Sequence, residues 1–168
     1  NYLGGRPKIS PSIKLFSFLI DKTFLDIDVI TSTKRKRVNI DEGGSIFQSS
    51  PDQANISIQG KYTKEVPLIS LAYARSGDKG DHANIGIIAR KKEYLNHISA
   101  SLSEETVKNL FRHFCKGEVL KWHVPGINGI NFLLKNSLDG GGMSSLRIDP
   151  QGKSYAQQLL EFPIKVPD

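Results

Sequence analysis

A chain of 168 residues is long enough for one or two small domains with a sizeable core. Its single cysteine, Cys115, excludes an internal disulfide and a cysteine-based metal cluster, and no run reaches the roughly 18 apolar residues that a bilayer span needs. Lys and Arg number 23 against 17 Asp and Glu, a net +6, but residues 1–65 and 66–168 share the excess equally, so neither part is a basic tail and nucleic-acid binding is not compelled.

The opening NYLGGRPKIS lacks the charged, apolar and small-residue zones of a signal peptide. A soluble, cytoplasmic protein is therefore expected, with no membrane partner. Residues 12–20, SIKLFSFLI, and 24–31, FLDIDVIT, read as strands. In the second, Leu25, Ile27 and Val29 alternate with Asp26 and Asp28, the period of two that makes one face apolar. From Thr33 to Lys64 the chain turns polar, with KRKR at 34–37 in what reads as a polar turn, and only short strand fragments at 38–40 and 55–60. Four basic residues in such a turn are expected to be solvated. This stretch is the expected junction, dividing the chain into 1–64 and 65–168.

The second part is better punctuated. VPLISLAYA (66–74) and NIGIIAR (84–90) are rich in β-branched and apolar residues, and predict two strands joined by the loop SGDKGDH. SEETVKNLFRHFC (103–115) predicts a helix: Ser103 is a capping residue, Glu104 and Glu105 sit near the positive end, and Val107, Leu110, Phe111 and Phe114 recur at helical spacing. EVLKWHV (118–124) and INFLLKN (130–136) predict another strand pair around PGING. A last helix is expected from Asp149 as N-cap, with Pro150 in its first turn, to Pro163. The order β, β, α, β, β, α predicts a two-layer α+β domain, a ferredoxin-like sheet with helices on one face, preceded by N-terminal strands.

Two clusters offer chemistry. In the first, Gly77 and Gly80 permit backbone conformations that let amides converge on an anion, and Arg75 and Lys79 supply positive charge. Asp78 and Asp81 would repel a phosphate unless they bind a hydroxyl, an amine or a cation. The competing reading is an Asp/Gly-rich turn whose carboxylates cap backbone N–H groups. The second cluster, LDGGGMSSLRID (138–149), could admit a ligand over Gly140, Gly141 and Gly142, with Ser144, Ser145 and Arg147 as donors, or be a simple turn. GDKG matches the G-x-x-G loop of KH domains, but that loop joins helices and this one lies between strands. His82, His97, His113 and His123 lack zinc-ligand spacing, and neither Cys115 nor any serine sits in a nucleophile elbow. No metal or cofactor is expected.

ARSGDKGDxxNIGIIAR, followed some fifty residues later by NFLL, GGG, SLRID and QGK, resembles the C-terminal domain of the acyclic terpene utilisation (AtuA-type) family. LGGRPKISPSIKLFSFLI is similar to the closing strands of that family's large preceding domain. The resemblance implies that the chain is the tail of a longer polypeptide, with that large domain or further copies of itself as partners. It also implies a link to breakdown of acyclic terpenes through acyl-CoA thioesters, the reaction being unassigned. Matching motif positions are Arg75, Ser76, Gly77, Asp78, Lys79, Gly80, Asp81, Asn84 and Gly86, and Gly140, Gly141, Gly142, Ser145, Arg147, Asp149, Gly152 and Lys153. His82 falls where the family varies. Three roles follow: a site for an anionic ligand such as acyl-CoA, an assembly module whose strand edges need partners, and, least expected, nucleic-acid binding through GDKG and KRKR.

Overall fold

The computed structural model describes residues 9, 11, 13, 16, 18–39, 44 and 62–167. Of the strand expected at 12–20, residues 12, 14, 15 and 17 lie outside the described residues and residues 13, 16 and 18–20 form no strand; the strand fragment at 55–60 lies outside the described residues altogether. The chain forms two units, one of residues 16–53 and one of residues 1–15 with 54–168.

In the smaller unit, a one-turn 3-10 helix at Lys22–Phe24 is capped by Asp21, whose carboxylate accepts from the Thr23 N–H. Then β1 (Asp28–Ile30) pairs antiparallel with β2 (Arg35–Arg37). The strand expected over 24–31 is thus confined to its last residues, and KRKR lies largely in a strand, not in a turn. Asp26 pairs with Arg37 and Asp28 with Arg35, the latter at 2.6 Å. Asp28 lies opposite Arg37 in the ladder, so the Asp28–Arg35 pair runs diagonally across it, within reach of long side chains. No described residue of this unit is buried.

The larger unit is built on an antiparallel sheet of four strands. In chain order these are β4 (Ala72–Lys79), β5 (His82–Ala89), β6 (Val119–Val124) and β7 (Gly129–Leu134), arranged in space β4-β5-β7-β6. Helices α1 (Tyr94–Ser101) and α2 (Glu104–Leu110) connect β5 to β6, and α3 (Tyr155–Leu160) follows β7. A separate ladder joins β3 (Lys64–Pro67) to β8 (Pro163–Val166), tying together the start and the end of the segment 62–167. β5 and β6 run parallel with β7 between them, the split βαβ arrangement of the ferredoxin-like fold. The neighbour relations are those of a βαββαβ sheet whose last strand has moved to the front of the chain. The expected α+β class and ferredoxin-like sheet are therefore present.

Strand alternation decides which face the helices cover. Ala83, Ile85, Ile87 and Ala89 of β5 point one way and meet Ile130, Phe132 and Leu134 of β7 and Ala72 of β4. Ile98, Leu102, Val107, Phe111, Tyr155, Ala156 and Leu159 close over them from the helical layer, while Leu68 and Ile164 seal the end beside the β3–β8 ladder. Each large side chain buried in this way contributes roughly 1.5–3 kcal/mol.

Several elements depart from expectation for identifiable reasons. The strand predicted at 66–74 is broken by a 3-10 turn at Leu68–Ser70, because Leu68 turns into the core as the chain passes from one ladder to the other. The second helix ends at Leu110: the Phe111 N–H still bonds the Val107 carbonyl, and the chain then tightens so that Phe114 N–H reaches Phe111. Val107 and Phe111 are buried, whereas Leu110 and Phe114 are partly exposed. The last helix does not start at Asp149. That carboxylate accepts from the N–H groups of Lys153 and Ser154 and from the Ser154 hydroxyl, shaping a turn that delays α3 to Tyr155. Pro163 opens strand β8, and α1 and β8 are additions to the elements that the sequence predicts.

Candidate functional site

The segment read as a long loop is almost entirely strand. Residues up to Lys79 belong to β4 and those from His82 to β5, with Lys79 facing His82, so Gly80 and Asp81 alone make the turn. Gly80 has φ +66°, as the first position of a tight hairpin turn can demand. The convergent amides expected at 77–81 do not form, because an extended strand points successive N–H groups to opposite sides.

Pairing sorts the motif onto two faces. Ser76 and Asp78 share the helix-covered side with Ile85 and Ala83, whereas Arg75, Gly77 and Lys79 share the outer side with Gly86, Asn84 and His82. On that outer side the row from Arg75 continues through Gly86 and Asn131 to Trp122. The adjacent row runs from Tyr73 through Ile88 and Gly129 to Val124. Gly86 and Asn131 line a shallow groove of about 300 Å³, together with Tyr73, Arg75, Val124 and Ile127.

The inward-facing motif residues hold the fold. Ser76 is buried; its hydroxyl donates to the Lys153 carbonyl at 3.1 Å and accepts from the Ala156 N–H at 2.9 Å, joining β4 to the start of α3. Asp81 is the fastening of the hairpin turn. Its carboxylate accepts from Gly140 N–H at 2.6 Å and from the Asn136 side chain at 3.2 Å, and its carbonyl accepts from Ser137 and Leu138. Gly141 abuts this turn so closely that a Cβ there would coincide with the Gly80 carbonyl. The two glycine clusters are therefore brought together, against each other.

Arg147 is likewise engaged. It donates to Asp139 at 2.8 Å, to the Ser137 and Phe114 carbonyls and to the Tyr155 hydroxyl, and lies over the Phe114 ring. Hydrogen bonds from Lys116 and Arg147 hold the Asp139 carboxyl below the ordinary carboxylate range. Ser145 accepts from the Arg147 N–H. Gly140, Gly141 and Gly142 all have positive φ and serve this turn.

Three cations remain on the outer side. Arg75 has no hydrogen bond or ion pair among the described residues. Lys79 donates only to the Asp78 carbonyl. Lys153 is a motif position in the sequence but not one of its candidate ligand-binding residues. Its carbonyl is bonded to Ser76 on the helical side, yet its ammonium lies 3.1 Å from where a Gly77 Cβ would be, on the outer side. The side chain thus passes around the edge of β4 to reach Gly77. The Asn84 amide donates to Asn131 at 3.3 Å, so the floor between the cations is polar and flat. None of the four strands places a carboxylate on this face. The arrangement can hold a phosphate or carboxylate against Arg75 and Lys153, with the groove beside it. At the far end Arg90 is stacked on Tyr73 at 3.9 Å and bonded to the Ile69 carbonyl, a contact with no signature in the sequence.

Nucleophilic and metal chemistry find little support among the described residues. Cys115 is buried and burial pushes its thiol up, away from the reactive thiolate. His82 accepts from the Asn136 N–H, and no group of His, Cys, Asp and Glu is placed to hold a metal ion. Among the described residues no helix is long and apolar enough to cross a membrane.

In comparison with known families, residues 66–165 match the AtuA ferredoxin-like domain. No curated protein and no solved structure was found to match the chain.

Proposed function

Since the chain belongs to the family of the AtuA ferredoxin-like domain, we propose that this domain contributes a binding site for an anionic ligand on the outer face of its sheet. The observation that carries the reading is the placement of Arg75 and Lys153 on the glycine- and asparagine-bearing outer surface of β4 and β5, with no carboxylate paired to either side chain among the described residues. A guanidinium binds phosphate in a bidentate fashion and a lysine supplies a mobile point charge. Gly86 lets a ligand approach the backbone itself, while Gly77 leaves room for the Lys153 ammonium.

An acyl-CoA is the candidate, in keeping with the link between AtuA-type proteins and acyclic terpene breakdown through CoA thioesters. Its phosphates suit the cations and its acyl chain suits the apolar groove past Tyr73 and Ile88. The role is binding and positioning; a reacting group would come from elsewhere.

Calorimetric titration with coenzyme A tests the proposal. Arg75→Ala and Lys153→Ala are each expected to weaken binding about tenfold, while Lys135→Ala, whose ammonium already pairs with Glu118, leaves it unchanged. Affinity unaffected by both site variants would remove the reading.

A further inference from the structure

The two free edges of the four-stranded sheet are unlike each other. The β4 edge is crossed by the Lys153 side chain and flanked by Arg75 and Lys79. Charges along an edge and a covering element are two of the ways in which folded proteins prevent strand addition. Among the described residues no element covers the β6 edge. Its one lysine, Lys121, is drawn inward, donating to the Ser99 and Leu102 carbonyls at 2.7 and 2.8 Å, and His123 is tied to the Ser99 hydroxyl at 2.9 Å. The strand is uninterrupted by proline or bulge from Val119 to Val124. Its outer face shows Leu120, Trp122 and Val124, of which Trp122 is 47 % and Val124 38 % exposed.

The register determines which backbone groups are available. Lys135 N–H donates to the Glu118 carbonyl, so Glu118, Leu120, Trp122 and Val124 direct their main-chain groups to β7. By alternation Val119, Lys121 and His123 direct theirs outward. We propose that β6 is the contact through which two copies of this chain pair, antiparallel about a two-fold axis at Lys121, joining their sheets into one of eight strands. An antiparallel edge is complementary to itself under such an axis, since each outward N–H finds the partner's outward carbonyl. In this register Val119 lies opposite the partner's His123, and Leu120 lies opposite the partner's Trp122, twice. The indole thereby gains an aliphatic neighbour on the exposed face. The inward bonds of Lys121 keep the two ammonium groups from meeting across the axis.

Light scattering on the chromatographed full chain is expected to give a dimer, and the double variant Leu120→Glu, Trp122→Glu to raise its dissociation constant roughly 100-fold with an unchanged circular dichroism spectrum. If that variant misfolds, cysteine crosslinking decides. The double variant Leu120→Cys, Trp122→Cys should form a covalent dimer on oxidation, as directly opposed strand positions allow, whereas Leu120→Cys alone should not. A chain that stays monomeric at its highest soluble concentration would overturn the proposal. So would a dimer that neither β6 substitution affects and that the paired cysteines fail to lock.

Discussion

Gly141 has the most constrained backbone of the motif residues. Its φ is +66° and the space a Cβ would need is filled by the Gly80 carbonyl. Gly141→Ala must therefore separate two loops that Asp81 holds together through Gly140, Ser137 and Leu138. A loss of about 3 kcal/mol or more is expected, read as a lowered midpoint in urea denaturation. At Gly142, with nothing within reach of an added Cβ, the same substitution meets only the cost of its left-handed backbone. Arg147 carries the same lesson: a basic residue in a glycine-rich motif looks like a ligand donor in the sequence, yet its partners are a carboxylate, two carbonyls, a hydroxyl and a ring of its own chain. The sequence names the residues that matter without saying whether they face inward or outward. Strand alternation supplies that distinction once the true turn is located.

At the level of elements, the strands around the motif were legible because apolar and β-branched residues alternate there, and α2 because Ser103 caps it, accepting from Thr106 N–H at 3.0 Å. The start of α3 was misplaced for a physical reason. Asp149 does what an N-cap does, accepting several backbone N–H groups, but for a turn that precedes the helix. Burial would raise the pKa of its carboxyl, yet the bonds from Ser154 and Lys153 outweigh this and hold it below the ordinary 3.8. A carboxyl depressed in the native state adds stability that is complete above about pH 5 and declines as the pH falls through the ordinary carboxylate range. Urea unfolding between neutral pH and pH 3 should therefore show a smaller loss for Asp149→Asn than for the parent chain, although the variant starts less stable. Elements α1 and β8 escaped notice because their apolar faces are short: α1 buries Ile98 alone, and β8 buries Ile164.

For the molecule as a whole, the buried core among the described residues runs from Leu68 to Ile164, and β3 paired with β8 closes it. The described residues of the 16–53 unit bury nothing, while Phe24, Val29 and Ile30 are largely exposed. A fragment of residues 62–168 is thus expected to unfold in one cooperative transition within a few degrees of the full chain, as calorimetry would show. A markedly lower or broadened transition would mean that the N-terminal residues contribute to the core. The ferredoxin-like class was readable from element order alone. Which side of the sheet remains open was not, because that depends on where α1, α2 and α3 settle.

Lys153 passes from one side of the sheet to the other around β4. A ribbon that could lengthen at either border would have no natural stopping point, and sheet would add to sheet without limit. With one border bolted by a single flexible side chain, any joining of copies through the other must end at a pair. The same ammonium that could greet an anion would then also be what keeps the protein from growing into a fibre.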